Sequence, residues 1–172
     1  MKARRSFEEF INESSNYERL LGLARDPKTD PDLLDELSTS LTTSIRIAVA
    51  GNPNTRPETI RMLYRAEPRA NYAEIAANPG TPIDMLLAFA EQGMESGDYW
   101  LINSLAKNPA MPEEILDEFL SLDTFVLRQF IASNPGTSVG TLMELAIDED
   151  PRIRQAAASN PKLADLKDYL DR

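Results

Sequence analysis

Residues Ala50–Glu58 read AGNPNTRPE: an alanine, an Asn-Pro step, a threonine and a second proline before an acid. An X-Pro bond pushes the preceding residue out of the helical region, so Asn52 must end any helix running through Ala50. The corner recurs as AANPGTPID from Ala76, AKNPAMPEE from Ala106, ASNPGTSVG from Ala132 and ASNPKLADL from Ala158. An earlier version, ARDPKTD, carries Asp26 in place of Asn. Pro27, Pro53, Pro79, Pro109, Pro135 and Pro161 are separated by 26, 26, 30, 26 and 26 residues. A fixed period of this size marks stacked units, each too small to bury a core alone.

Each unit reads as two helices. In the helix after the corner, one apolar column is Leu34, Ile60, Leu86, Leu116 and Leu142, and the next is Leu37, Leu63, Phe89, Phe119 and Leu145. Their i, i+3 spacing gives one buried stripe. Thr29, Thr55, Thr81 and Thr137 stand where an N-cap is expected, with Thr55 and Glu58 matching a capping box and Pro82 at the first helical position. Met111 fills that place in the fourth unit.

The second helix ends at the next corner. It carries Ile45, Asn71, Leu101, Leu127 and Ile153 in one column, and Leu23, Val49, Ile75, Leu105, Ile131 and Ala157 in another. Beside the latter runs an unbroken alanine column, Ala24, Ala50, Ala76, Ala106, Ala132 and Ala158, which predicts backbones in close contact. The Asn amide is expected to satisfy loop backbone groups of the neighbouring corner, like rungs of a ladder. The predicted fold is all-α: an α-solenoid of about five 26-residue repeats, over residues 14–172. Half-repeats at 14–26 and 160–172 serve as caps, and residues 1–13 form a separate basic, amphipathic segment.

Net charge is −10, and there is no histidine or cysteine. Missing His and Cys excludes their nucleophilic chemistry, ordinary zinc sites and cysteine-ligated clusters, so no cofactor is expected. The acidic balance argues against general nucleic-acid binding and for a protein partner with a basic surface. No stretch of about 18 apolar residues predicts a membrane span. MKARRSFEEFINESS lacks the apolar run of a secretory signal, and a cytoplasmic setting is expected.

Three features are candidates for contacts. Arg46, Arg128 and Arg154 occupy equivalent places at the start of second helices. They either line a binding face and grip carboxylates or, as such residues more often do, lay their stems on the neighbouring repeat and pair with its acids. The 30-residue unit holds its excess near EQGMESGDYW, where Met94, Tyr99 and Trp100 either anchor a partner from a surface loop or, for Trp100, start the second helix and pack inward. Asp148–Pro151, DEDP, lacks the pattern of a calcium loop and reads as a solvated turn.

IRIAVAGNPNTRPETIRML and LRQFIASNPGTSVGTLMEL resemble the leucine-rich repeat variant family. The resemblance covers about residues 20–170 and implies a right-handed superhelix of alternating α- and 3₁₀-helices. The period here is longer than the family's usual unit, and its cysteine-rich iron–sulfur module is absent. MKARRSFEEFINESS resembles the targeting peptides of internal head proteins of large tailed phages. That resemblance implies a cut after Ile11-Asn12-Glu13, leaving Ser14 as the new terminus, with Phe7, Phe10 and Ile11 on one helical face. The expected function is a non-catalytic protein-interaction scaffold. The alternatives are a phage protein packaged in the virion interior and delivered to the host cytoplasm to act on a host factor, and a hydrolase using carboxylates alone.

Overall fold

The computed structural model describes the backbone of residues 7–170 and their side chains, apart from the side chains of 7–14, 68, 69, 71 and 166–170. Among the described residues every regular element is a helix. The helices fall into two compact units, Met1–Gly80 and Thr81–Arg172. The first holds α1 (Phe7–Arg25), α2 (Pro31–Leu37), α3 (Thr43–Gly51), α4 (Pro57–Ala66) and α5 (Pro68–Ala77). The second holds α6 (Ile83–Ser96), α7 (Tyr99–Ala106), α8 (Glu113–Leu120), α9 (Phe125–Ser133), α10 (Val139–Leu145), α11 (Pro151–Ala158) and α12 (Pro161–Leu170). Even-numbered helices follow a corner and odd-numbered helices lead into one, so each period makes one helix pair. The second helices are α-helical rather than 3₁₀. They run for 8–10 residues, a length that 3₁₀ geometry rarely sustains.

The cores follow the columns. Leu34, Ile60, Leu86, Leu116 and Leu142 are fully buried, as are Val49, Ile75, Leu105, Ile131 and Ala157. Full burial of such a side chain contributes roughly 1.5–3 kcal/mol, so the two columns dominate the folding energy of every pair. Five of the six alanines, Ala24 to Ala132, are also fully buried. Ala158 is exposed instead. Ala24, Ala50, Ala106 and Ala132 each offer their carbonyl to the Asn of a corner 28 residues on. Asn71 lies among the side chains outside the described set.

The corners explain the alanines. Asn52 Nδ2 donates to Ala24 O and to Asp26 O, both at 2.8 Å, while its Oδ1 accepts from Asn54 N at 2.9 Å. Asn78 repeats this onto Ala50 O (2.7 Å) and Asn52 O (2.8 Å). In the second unit Asn134 donates to Ala106 O and Asn108 O, and Asn160 to Ala132 O and Asn134 O, at 2.7–2.9 Å. A side chain larger than alanine would separate these backbones. Asn52, Asn78 and Asn134 hold the extended ψ of 124–127° that their prolines require.

The threonines differ from expectation. Thr29, Thr55 and Thr137 do not cap the next helix; each hydroxyl donates backwards, to Leu23 O, Val49 O and Ile131 O, at 2.5–2.6 Å. Their N–H groups close a turn onto the carbonyl of Asp26, Asn52 or Asn134, which holds the threonine inside the corner. The cap passes to the next residue: Asp30, Arg56, Pro82, Pro112 and Ser138. The Thr55–Glu58 capping box therefore does not form, and Pro82 is the cap rather than the first helical residue. Met111 fills the same slot: its N–H closes the same turn, onto Asn108 O at 3.1 Å, and its side chain is buried.

The irregular unit is built without a loose loop. Helix α6 runs for 14 residues, against 7–10 for α2, α4, α8 and α10, so the extra residues lengthen it. Gly97 ends it at φ 65°, a left-handed conformation that glycine adopts without strain. Asp98 then caps α7, accepting from Trp100 N and Leu101 N at 3.1 Å. The buried Gly93 lets the two helices close together: a Cβ there would lie 3.0 Å from Ile102.

Candidate interaction surface

The arginine row is engaged within the chain. Arg46 donates to Ser40 O (2.5 Å) and Thr43 Oγ1 (2.9 Å) in its own loop and pairs with Glu67 one repeat on. Arg128 reaches Asp123 Oδ1 (2.5 Å) in its own loop, and Asp148 Oδ2 (2.9 Å) and Glu149 Oε1 (3.6 Å) one repeat on. Burial works against the Arg128 charge, but the field of Asp148, then the hydrogen bond to Asp123, outweighs it and raises the pKa. Arg154 ties down its loop through Asp148 O (2.7 Å) and Glu149 O (2.9 Å). A partner would have to displace these bonds to use the guanidinium groups. The corner amides are likewise spent on backbone.

The DEDP turn is not uniformly solvated. The Asp148 side chain is only 9 % exposed, because Arg128 and the Asp150 N–H both bind it. No group of three or more potential metal ligands occurs among the described residues.

Trp100 starts α7, as one reading of the sequence has it, but does not pack inward: it is 72 % exposed, and Tyr99 is 50 % exposed. Leu101 and Leu105 take the buried column, and the residue before Leu101 is turned about 100° away from it. Val126 and Arg152 hold the same register on α9 and α11, and the Arg152 guanidinium lies 4.2 Å from the centre of the Phe125 ring. Ile11, Glu13 and Ser14 fall within the continuous helix α1, and their side chains, with those of Phe7 and Phe10, lie outside the described residues.

Met94 belongs to a different surface. Between α6 and α8 runs a groove of about 320 Å³. Its floor is Leu87, Ala90, Met94, Ile115 and Phe119, and its rim is Glu91, Glu95 and Glu118. The three carboxylates are exposed and have no side-chain partner among the described residues. Sequence reasoning found Met94 but missed the rest. The legible signal was the Glu91–Glu95 pair at i, i+4 inside the only lengthened unit, which places both on one face of α6.

Charge follows the same division. The first unit carries twelve acidic and eleven basic residues, the second sixteen and seven, so nearly all of the net −10 belongs to the second unit. No helix among the described residues is long and apolar enough to cross a membrane. No protein-family model, curated protein or solved structure matches the chain.

Proposed function

We propose that this protein is a non-catalytic protein-interaction scaffold for a partner with a basic surface, acting in the cytoplasm. The observation that carries the reading is a set of carboxylates on the second unit: Glu91, Glu95, Glu114, Glu118 and Glu144 are exposed and bind no other side chain among the described residues. On the first unit Asp32 and Asp35 are paired with Arg56. Leaving this many negative charges unpaired raises local repulsion, which a cationic partner relieves on docking. The absence of His and Cys supports a non-catalytic role. So do the carboxyls of Asp35 and Asp150, which their hydrogen-bonding partners hold below the usual range, the opposite of what a general acid needs.

The architecture we propose is the right-handed α-solenoid of the leucine-rich repeat variant type. Its support is the Asn ladder, which repeats the same bonds within each unit, and the period, which continues through Pro79 and Pro109. Small-angle scattering giving an elongated particle is expected; a profile of a compact sphere argues against it.

The function is tested by capturing partners on the tagged chain and titrating each purified partner. Affinity is expected to fall steeply with salt and to drop when Glu91, Glu114, Glu118 and Glu144 are all changed to Gln. A partner indifferent to both overturns the reading.

A further inference from the structure

The only break in the repeat is also what completes the groove. A helix after a corner in the other units ends within ten residues, and Met94 and Glu95 fall in the turn that α6 adds beyond that length. Without it the groove loses part of its floor and part of its rim. Met is a side chain that adapts to irregular apolar partners, and Leu87 is 43 % exposed beside it. Glu91 and Glu95 share one face of α6 about one turn apart, with Glu118 opposite on α8. An apolar floor between two acidic walls fits an amphipathic helix that lays an apolar stripe into the groove and sets cations on either side.

We propose that the added turn of α6 makes the α6/α8 groove a seat for a helical segment of a partner protein, one carrying large apolar side chains flanked by Lys or Arg. The proposal rests on the protein-interaction reading and narrows it to one face and one ligand class. It also gives the four extra residues a function: they set specificity, not stability.

The probes are fluorescein-labelled synthetic peptides, titrated against the whole chain by anisotropy. One is a Leu/Lys amphipathic helix of about four turns; a second has the same composition in scrambled order; a third replaces Lys by Glu. The first is expected to bind, and the other two to bind at least about tenfold more weakly. Glu91→Lys with Glu95→Lys is expected to weaken the first peptide about tenfold, whereas Glu18→Lys with Glu58→Lys, the same change of charge at exposed positions outside the groove, leaves it within about twofold. Met94→Asp, and removal of residues 94–97 to restore the 26-residue period, are expected to weaken it likewise, with the point variants standing if the deletion fails to fold. Equal binding of the scrambled peptide, or equal loss in both charge reversals, overturns the groove while leaving a diffuse acidic scaffold intact. Self-association abolished by the Glu91/Glu95 reversal assigns the groove to a second copy and overturns the proposed partner. Because Glu91 and Glu118 stand on the groove rim, peptide binding that survives the Gln substitutions also overturns the groove, whatever becomes of the basic partner.

Discussion

Asn134 spends every polar group of its side chain on backbone: two carbonyls of the previous corner and one N–H of its own. Asn134→Ala leaves those buried groups short of a partner and is expected to cost about 2–4 kcal/mol in urea unfolding. Thr137→Val keeps the shape but removes the bond to Ile131 O, and about 1 kcal/mol is expected by the same measurement. The two side chains were not equally legible. An amide at fixed distance from a proline has few places to go, so its structural role follows from spacing. A threonine hydroxyl both donates and accepts, and only the path of the turn decides which. Asp26 shows the rule at its limit. It keeps the acceptor bond, from Lys28 N at 2.9 Å, but its carboxylate has no N–H to donate.

Among the elements, α7 depends on how α6 stops. Asp98→Ala removes its cap and is expected to cost about 1 kcal/mol, read from the thermal midpoint. Helix α11 offers a pH test. Its cap, Asp150, is held down to about 2, first by the Arg152 side chain and then by the Arg152 N–H, against 3.8 for a free carboxyl. A folded value below the unfolded one means stability that is full above about pH 4 and is lost as pH falls through the folded value. Asp150→Asn, which retains a capping oxygen, is therefore expected to unfold with a flatter pH dependence between pH 4 and 2, followed by circular dichroism. Helix pairing was readable because apolar spacing and proline position agree. The destination of the extra four residues was not, since a glycine-containing stretch is equally compatible with a longer helix or a loop.

At the scale of the molecule, the two units bury their own cores and carry different charge. Asn52 and Asn134 share no hydrogen-bond partner, so their alanine substitutions are expected to add within about 0.5 kcal/mol in the double variant. A larger coupling, measured in the same urea titrations, would show that the ladders are energetically continuous. The charge imbalance was present in the sequence, but it acquired meaning only once the boundary at Gly80 and Thr81 divided the residues into groups.

By itself the sequence determined the helix pairs, the corners and the buried columns, because local rules of proline, spacing and side-chain size each act within about one turn of chain. Tertiary structure alone decided which groups remain free. It turned three arginines into loop ties, aimed the threonines backwards, left Trp100 outside and set Met94 beside three unpaired glutamates. Whether a charged side chain is spent or available depends on neighbours about 20 residues away, as Arg46 on Glu67 and Arg128 on Asp148, and no local pattern in the sequence encodes that distance in space.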